Sequence, residues 1–569
     1  MREGMESASN RFSPTRFIED IARESRADKK MPDEKTIGRE CYAFSEQEDN
    51  AFTVAEKAAR TILDGLIEDQ DYEIDKDAIG NLFIRFFGTD PNAKAIMVGS
   101  HLDSVAEGGM HDGVAGVAVA LDTLAQGVSR LEKSKQDLIV AVWRSEESSP
   151  RNGIACLGSS IATGALTEEQ LNAVMYDREN GVLLKDHITK RGNAQKPPDP
   201  MLWEKVLALA KKPQWNANNV EAYFEAHIEQ SAVIDVNNKD VGIVTGGIGG
   251  ARRDRIGAKL EPEMIAAKEG EYEKITLSFL GEPTHTGGTP PNPAFMKEKN
   301  GLTWYRKDAL VAASRATNRL MRIPGIKLLR TGPDRATGFT SVPGRQDVEL
   351  LIPVARKRMA ASILLGLKSH LRARFQVEMD THPEKREKIP ATTITFVSRS
   401  RAREALDLAQ ITSALSTEGF HKEGTPTGTT RATMTDFFMT PEGVTYNLDL
   451  REVNIDDLER LVNEIHKHTN LTLGEGAYRT ISVKTHAPVD EQLVERLQQH
   501  AEKLGLSFVL MPSMPGHDAD RMAARGISTA MVFIRHDGLS HNPREAMKER
   551  DFSKAARTIQ EAIAEMQGH

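Results

Sequence analysis

Short apolar runs recur along the chain, and several of them end at residues that can carry chemistry. The run at 96–98 stops at a Gly-Ser pair and leads into a loop that holds His101 and Asp103. A short β-branched and apolar run is typical of a buried strand, and the small-residue apolar stretch at 114–124 is typical of a helix. This succession predicts an α/β fold with polar groups at the C-terminal ends of its strands.

Three further apolar runs contain, or are followed by, a histidine or glutamate side chain. They are 138–143, followed by Glu146 and Glu147; 221–228, which contains His227; and 529–534, followed by His541. A lone His-x-Asp motif is most often an ordinary hydrogen-bonded surface pair. Histidines and carboxylates supplied by four strand ends, however, indicate a site for divalent metal ions at one edge of a parallel sheet.

The overall composition narrows the class of protein. A chain of 569 residues is too long for one simple core, so we expect two or more domains. The net charge of −8 argues against a nucleic-acid partner, and no apolar run is long enough to span a bilayer. The N-terminus lacks the apolar core of a secretory signal, and two cysteines are too few for a disulfide framework. These features predict a soluble cytoplasmic enzyme that acts on a small molecule.

The order of elements predicts a catalytic domain that is interrupted by an insertion. We expect a polar, loosely held leader with one amphipathic helix at 1–49, a catalytic domain formed by 50–250 and 485–569, and an inserted satellite domain at 251–484. The C-terminal segment must return to the first sheet because His541 has to meet the ligands of the first half. The Gly-rich run at 244–255 resembles a dinucleotide-binding loop, but it lacks a matching helix and acidic partner. A flexible hinge and a domain boundary are therefore predicted there.

The satellite domain has a different pattern, which favours an α+β ferredoxin-like fold. Its elements read as strand, helix, two strands, helix and strand, from 275–283 to a last strand at 391–399. The strand at 391–399 then begins a second round that ends with a strand at 480–485. Similar short segments, KITLSF with TTITFV and RKDALVAA with RAREALDLA, favour a duplication into units at about 274–399 and 391–484. Any α+β insertion would give a comparable alternation, so a single irregular domain remains the alternative.

Six motifs together resemble those of a known family. They are GSHLDSVAEGGMHDGVAGV, the Glu146-Glu147 pair, AHIEQSAVID, THTGGTPP, MPSMPGHDADRMA and GLSHNPREAM. In this order the chain resembles the hydantoinase/carbamoylase-type amidases of the dinuclear zinc aminoacylase and carboxypeptidase superfamily. That family includes N-carbamoyl-L-amino acid hydrolases, allantoate amidohydrolases and some β-ureidopropionases. The resemblance covers most of 50–300 and 485–550 and implies a catalytic domain with a mixed sheet flanked by helices.

The resemblance implies a ligand set for two divalent metal ions, Zn²⁺ or Mn²⁺. It assigns His101 and His227 to one ion, Glu147 and His541 to the other, and Asp112 to both as a bridge. Mixed nitrogen and oxygen ligands accept either metal, and an ion pair of this kind lowers the pKa of a shared water.

His541 has a rival ligand in His536. The segment around His541, SHNPRE, matches the family motif, whereas the segment around His536, RHDG, does not. We therefore expect His541 to be the ligand.

The same resemblance implies a proton carrier and a group that orients a ligand. Glu146 would take a proton from water and return it to the leaving nitrogen. Asp103 would accept the other ring N–H of His101 and fix its tautomer.

Three further positions would contact the substrate. His285, in THTGG, would donate a hydrogen bond to the tetrahedral oxyanion, and Gln230 would bind the substrate through its side-chain amide. Arg451 would grip a substrate carboxylate with its planar fork. A surface salt bridge is an equally acceptable interpretation of Arg451.

The departures from the family pattern concern the specificity pocket. The glutamate pair is followed by SSPRNG at 148–153, a Gly-Gln-Arg turn becomes Gly-Ala-Arg at 250–252, and an asparagine is absent from 340–344. We predict an amidohydrolase of linear, non-peptide C–N bonds, with an N-carbamoyl amino acid or ureido acid as substrate. An aminoacylase or dipeptidase, and a binding or scaffold protein with a vestigial metal site, are the alternatives.

The resemblance also raises the question of the oligomeric state. In relatives the satellite domain commonly pairs with that of a second subunit, whose histidine completes the active site. This implies a homodimer in which His285 acts in trans. A duplicated satellite would instead make a monomer, but the second copy offers only His421 as a counterpart of His285, in a loop of undetermined position.

Overall fold

The computed structural model describes residues 12–26, 41–64, 71–105, 108–129, 133–147, 154–177, 181–194, 202–231, 233–281, 284–285, 308–333, 341–342, 344–375, 377–382, 386–415, 431–451, 455–484, 486–536 and 540–568. These residues fall into two compact units. Unit 1 combines Met1–Gly249 with His486–His569, and unit 2 is Gly250–Thr485. Strands and helices are numbered below in chain order.

Unit 1 is built on a mixed sheet. Its strands are β1 Tyr72–Lys76, β2 Leu82–Phe86, β3 Ala95–His101, β4 Leu138–Trp143, β7 Val220–Ile228, β8 Val241–Ile248, β22 Phe508–Ser513 and β23 Ser528–Ile534, and a separate hairpin pairs β5 Met175–Asp177 with β6 Val182–Leu183. The sheet order is β1-β2-β4-β3-β7-β23-β8-β22. The four central strands β4, β3, β7 and β23 are parallel neighbours, whereas β1–β2, β2–β4 and β23–β8 are antiparallel.

Helices cover both faces of this sheet. They are α1 Pro14–Glu24, α2 Glu46–Leu63, α3 Val114–Val128, α4 Leu157–Ala162, α5 Glu168–Asn172, α6 Leu184–Ala194, α7 Leu202–Lys211, α8 Val233–Val236, α13 Glu491–Lys503, α14 Asp518–Ala524 and α15 Glu549–Met566. Within β3, Ile96 and Val98 join one apolar cluster and Met97 joins another. A strand that is buried on both faces reads as a continuous apolar run, which explains the pattern of the central strands.

The N-terminal segment belongs to the core of unit 1. Phe17, Ile18 and Ile21 of α1 are buried in the same apolar cluster as the central strands. The helix begins where Ser13 accepts a hydrogen bond from the Arg16 N–H, with a proline at the first helical position. The amphipathic helix expected in this segment is α1, but its apolar face is packed into the core, so 12–26 is not loosely held.

The Gly-rich run at 244–255, in which a flexible hinge and a domain boundary were predicted, is largely regular structure. Residues up to Ile248 belong to β8, and the next strand is β9 (Ala251–Lys259), so only Gly249 and Gly250 lie between the two strands. Both strands pair with neighbours that are distant in sequence, which orders a glycine-rich backbone through its peptide hydrogen bonds. The division between the two units falls between these two glycines.

Unit 2 is an antiparallel sheet with helices and an apolar core of its own. Its strands are β9 Ala251–Lys259, β10 Pro262–Ala267, β11 Tyr272–Leu280, β12 Thr284–His285, β13 Lys327–Pro333, β14 Ser341–Val342, β15 Arg345–Pro353, β16 Glu378–Asp380, β17 Glu387–Lys388, β18 Thr392–Val397, β19 Arg431–Thr440, β20 Gly443–Arg451 and β21 Tyr478–Lys484. Its helices are α9 Ala309–Leu320, α10 Lys357–Phe375, α11 Arg399–Leu415 and α12 Ile455–Leu473, with a 3₁₀ turn at Val354–Arg356. The main strand order is β16-β11-β15-β13-β19-β20-β9-β21.

The predicted role of the strand at 391–399 is wrong. In the structure β18 pairs with β10 and β13, and the short strand β16 lies beside β11 where the fourth strand of the first round was expected. The second round has β9 as its first strand in place of 391–399. A strand as short as β16 is too brief for apolar periodicity to reveal, so the longer run was assigned in its place.

None of the helices in the described part of the chain is both long and apolar enough to cross a membrane.

Candidate metal centre

The four central strands of unit 1 bring their polar residues to one edge. His101 is the last residue of β3, His227 lies near the end of β7, and Glu146 and Glu147 follow β4. β23 is parallel to β7 and leads towards His541. Because these strands are parallel neighbours, their C-terminal ends meet at the same edge of the sheet.

A first group of potential ligands consists of His101, His227 and Asp112. The Oδ1 atom of Asp112 is 3.5 Å from Nε2 of His101 and 3.2 Å from Nε2 of His227, and the two Nε2 atoms are 3.4 Å apart. All three side chains are buried. Burial by itself raises the pKa of Asp112. The imidazoles of His227, His101 and His541 have a larger opposite effect, so the pKa of Asp112 lies well below its usual value.

A second group shares Asp112 with the first and adds Glu147 and His541. Nε2 of His541 lies 3.1 Å from Oε1 of Glu147 and 3.8 Å from Oδ2 of Asp112. The two oxygens of Asp112 therefore face different groups, as a bridging carboxylate requires. His536 is buried as well, but it belongs to neither group.

The protonation states in the first group fit a metal ion. Nδ1 of His101 lies 3.2 Å from the Asp103 carbonyl oxygen, and Nδ1 of His227 lies 2.9 Å from the Ile228 carbonyl oxygen. A carbonyl can only accept, so both Nδ1 atoms donate these hydrogen bonds, and a neutral imidazole in this tautomer offers its Nε2 lone pair to a metal ion. Ligands held about 2.0–2.1 Å from a tetrahedral zinc ion are roughly 3.3 Å apart, which matches the separations within this group. The two overlapping groups are consistent with a dinuclear metal site.

Asp103 makes contacts on both sides of this edge. Its Oδ1 atom is 3.4 Å from Nδ1 of His101, and its two carboxylate oxygens accept hydrogen bonds of 3.0 Å from the backbone N–H groups of Glu146 and Glu147. The second of these functions was not predicted from the sequence. One carboxylate thus orients a candidate ligand and holds the loop that carries both glutamates.

Glu146 has different surroundings from Glu147. Its Oε2 atom lies 3.7 Å from Nε2 of His101, and its Oε1 atom accepts a 3.4 Å hydrogen bond from the Cys156 thiol. Burial raises the pKa of Glu146 well above its usual value. The charge of His101 lowers this pKa, and the nearby carboxylates of Glu147 and Asp518 raise it further. A carboxyl group with a raised pKa can hold and release a proton near neutral pH.

Gln230 contacts the bridging carboxylate. Its Nε2 atom donates a 2.9 Å hydrogen bond to Oδ2 of Asp112, and the Ser540 hydroxyl donates to the same oxygen at 2.8 Å. Ser540 was not predicted to belong to the site, although its position in the SHNPRE motif was a signal. Two donors on one oxygen fix the orientation of the Asp112 carboxylate.

Glu545 and Gly113 shape the loop that carries Asp112, and neither was predicted. Oε2 of Glu545 accepts hydrogen bonds of 2.9 and 3.0 Å from the backbone N–H groups of His111 and Asp112. Gly113 has a φ of +69°, and a Cβ atom there would lie 2.4 Å from the ring of His101. Glycine is required because the backbone is left-handed and an imidazole occupies the side-chain position.

The N-terminal segment supports the loop that precedes Glu146. Ser145 adopts a left-handed φ of +59°, and its N–H donates a 3.3 Å hydrogen bond to Oε1 of the buried Glu48. Nη1 of Arg144 lies 3.3 Å from Oε2 of Glu48. Burial raises the pKa of Glu48 to about 7, although Arg144 lowers it. No sequence motif pointed to this contact.

The predicted substrate-binding residues of unit 2 are described within that unit. His285 lies in the short strand β12, which pairs with β14, and its side chain is outside the described residues. His421 also lies outside them. Arg451, at the end of β20, is buried, and its Nε atom donates a 2.6 Å hydrogen bond to Oδ1 of Asp449. Its predicted role in binding a substrate carboxylate stays a prediction.

The chain is similar to several known proteins. It is 24% identical over 521 residues to an uncharacterized hydrolase of Haemophilus influenzae, covering 90% of this chain and 92% of that protein. It is 28% identical over 310 residues to an N-carbamoyl-L-amino-acid amidohydrolase of Paenarthrobacter aurescens, covering 52% of this chain and 62% of that protein. A hydantoinase/carbamoylase family amidase from Burkholderia ambifaria aligns over 99% of this chain and 98% of its own, with 19% identity and a TM-score of 0.48.

The family itself follows from a match along most of the chain. The model of peptidase family M20/M25/M40 matches residues 97–565, a span that includes all of the candidate metal ligands. With the buried His/Asp/Glu site described above, this chain belongs to peptidase family M20/M25/M40, a family of hydrolases.

Proposed function

We propose that this M20 hydrolase is a dinuclear metal-dependent amidohydrolase that cleaves a linear, non-peptide C–N bond. The observation that carries the proposal is the bridging geometry of Asp112, whose two oxygens face two separate groups of buried ligands. Either Zn²⁺ or Mn²⁺ suits these nitrogen and oxygen donors. Two such ions would polarise the scissile carbonyl and make water acidic enough to attack it near neutral pH.

The residues of this chain supply proton transfer and orientation. Glu146 takes the proton of the attacking water and returns it to the leaving nitrogen, for which its raised pKa and its position beside His101 are suitable. Asp103 holds His101 and the Glu146 loop in one arrangement. Preorganisation of this kind avoids reorientation of the ligands during the reaction.

Two residues of unit 2 complete the proposed chemistry. His285 donates a hydrogen bond to the tetrahedral oxyanion, and Arg451 binds a carboxylate of the substrate. Gln230 binds the substrate through its side-chain amide in this proposal, and its hydrogen bond to Asp112 also orients the bridging carboxylate. The substrate is accordingly a small molecule with a carboxylate.

The proposed substrate is an N-carbamoyl amino acid or a ureido acid. It is supported by the motifs that resemble carbamoylases and by the carbamoylase of Paenarthrobacter aurescens among the relatives. An aminoacylase or dipeptidase would use the same ligands, and the altered segments at 148–153 and 250–252 leave these specificities open to test. A vestigial scaffold is disfavoured because Glu146, which a scaffold would not need, accompanies a full set of ligands.

The deciding experiment is a metal-dependent activity screen of the purified chain. We expect about two Zn²⁺ or Mn²⁺ per chain by elemental analysis, and ammonia release from N-carbamoyl amino acids, allantoate or ureidopropionate. N-acetyl amino acids and dipeptides serve as comparison substrates, because turnover of these alone would favour the aminoacylase or dipeptidase. Absence of divalent metal, without activation by added Zn²⁺ or Mn²⁺, would contradict the proposal and favour a scaffold.

We also propose a cytoplasmic location. Cys41 and Cys156 are both buried, and neither forms a disulfide. Reduced thiols are typical of proteins in a reducing compartment. Fractionation of the native host, with detection of this chain by antibody, would test the location.

A further inference from the structure

Cys156 is buried directly beside the proposed proton carrier, and the mechanism above does not use it. Its thiol donates a 3.4 Å hydrogen bond to Oε1 of Glu146. Within the described part of the chain, no other group donates a hydrogen bond to the Glu146 carboxylate. One oxygen of this carboxylate is therefore held by a single, identified donor.

The other oxygen of the Glu146 carboxylate faces the first group of candidate ligands. Oε2 lies 3.7 Å from Nε2 of His101, the atom that would bind a metal ion. The thiol and the candidate ligand thus lie at different oxygens of one carboxylate. Because a carboxylate is a rigid plane, a donor that holds Oε1 also limits the directions in which Oε2 can point.

The backbone fixes the place of the thiol relative to the loop that carries Glu146. The N–H groups of 156–158 donate hydrogen bonds of 2.7, 2.9 and 2.9 Å to the carbonyl oxygens of 146, 145 and 144, in that order. Cys156 has a left-handed φ of +54°, which a residue with a side chain adopts only where its surroundings hold it. The Cβ atom of Cys156 is therefore fixed beside Glu146, and one torsion suffices to bring the thiol to the carboxylate.

The sulfur of Cys156 is in the form that can donate. Burial raises the pKa of this thiol well above its usual value, the carboxylates of Glu146, Asp520 and Asp518 raise it further, and the nearby Arg521 lowers it by less. Near neutral pH the group is consequently a thiol, which donates to a carboxylate, rather than a thiolate, which would repel it.

We propose that Cys156 is a positioning residue that holds Oε1 of Glu146 and thereby directs Oε2 towards the ligand group at His101. A thiol is a weak donor, so it can orient the carboxylate while leaving it able to accept a proton. Without the thiol, the carboxylate rotates more freely, and a smaller fraction of molecules has it ready for proton transfer. The effect on catalysis rests on the proposed hydrolase function, whereas the orientation of Glu146 does not.

Infrared spectroscopy of the S–H stretch tests this contact on the full, metal-loaded chain without any substrate. Cys41 and Cys156 are the only cysteines, so the Cys41→Ala chain carries a single thiol. In that chain we expect an S–H band at the lower frequency of a hydrogen-bonded thiol. Adding Glu146→Ala should shift the band to the higher frequency of a free thiol, and a band that does not move would overturn the proposal.

Steady-state kinetics tests the consequence for catalysis. Cys156→Ala removes the donor, and we expect kcat to fall by ~10-fold with KM and metal content unchanged, since a hydrogen bond to a charged group is worth about tenfold. Cys156→Ser keeps a donor on a shorter Cβ–O bond and should recover at least ~3-fold of that loss. Both variants retain a Cβ atom, so they place the same demand on the left-handed backbone.

Cys41→Ala is the matched control, because it removes the same atom from an equally buried position of unit 1. Its kcat should equal that of the original chain. An unchanged kcat in Cys156→Ala, equal losses in Cys156→Ala and Cys156→Ser, or a loss of metal from Cys156→Ala would contradict a positioning role. If the original chain hydrolyses none of the substrates, the proposed function fails, and the S–H band still decides whether Cys156 holds Glu146.

Discussion

Two adjacent glutamates, Glu146 and Glu147, follow the same strand and yet face different partners. Glu147 lies 3.1 Å from the candidate ligand His541. Glu146 instead accepts a hydrogen bond from the Cys156 thiol and lies 3.7 Å from Nε2 of His101. The backbone N–H groups of both residues are held by Asp103. This shared anchor places one carboxylate among the ligands and leaves the other beside them.

We predict that substitution separates these roles. Glu146→Gln should retain both metal ions and lower kcat by at least ~10²-fold, because the amide cannot carry the proton. Glu147→Ala should reduce the metal content, since it removes a ligand from the second group. Elemental analysis beside kcat measurement checks both, and an equal loss of metal in the two variants would show that the roles are reversed.

At the scale of elements, α2 supports the loop before Glu146 through the side chain of Glu48. Glu48 is buried against Arg144, and it holds the N–H of Ser145 directly before Glu146. Burial raises the pKa of Glu48 from 4.5 to about 7, so the folded chain binds this proton more tightly than the unfolded chain. Between these two values the free energy of unfolding therefore falls as the pH rises.

Replacement of Glu48 should reveal this contribution. We predict that Glu48→Gln unfolds with a smaller decline in stability between about pH 4.5 and pH 7 than the original chain, a difference on the order of 1–3 kcal/mol across that range. Urea unfolding at several pH values, at a fixed metal concentration, measures it. Glu46→Gln, at an exposed position of the same helix, is the control and should keep the original slope. Parallel slopes for the Glu48→Gln variant and the original chain would contradict the prediction.

At the scale of the molecule, the sheet of unit 2 consists of two similar quartets of strands. The inner quartet is β16-β11-β15-β13 and the outer quartet is β19-β20-β9-β21, and the second strands of the two, β13 and β19, pair in the middle. If the strands of each quartet are numbered in chain order, both quartets have the spatial order 4-1-3-2 from the outer edge of the sheet towards its middle. The corresponding helices, α9 and α11, pack together. We propose that the satellite is duplicated, with the inner copy inserted into the outer one.

This arrangement changes the expected oligomeric state. The inner quartet pairs with the outer quartet through β13 and β19, so strands of a second subunit cannot pair with the outer quartet at that edge. In place of the homodimer implied by the resemblance, we therefore propose a monomer in which His285 acts within its own chain. Sedimentation should give the mass of one chain, and a mixture of Glu146→Gln and His285→Ala chains should remain inactive. Recovery of activity in the mixture would instead demonstrate completion between subunits.

The sequence by itself determined the candidate metal ligands and the α/β character of unit 1. His101, Glu147 and His541 each lie at or shortly after the end of an apolar run, and such runs report burial directly. The resemblance then ordered them into a dinuclear set. The weak points were elements without a local pattern, namely the three-residue strand β16 and the paired glycine-rich segment of β8.

Only the tertiary structure decided how these ligands are held. Glu545 supports the backbone of Asp112 across 433 positions, and Glu48 supports Ser145 across 97. The pairing of β13 with β19 was likewise not predicted, because the similar segments in the sequence did not indicate which strands become neighbours. Apolar periodicity is a local property that reports which face of an element is buried. Side-chain hydrogen bonds and strand order depend on which distant segments pack together, so they became visible only in the folded chain.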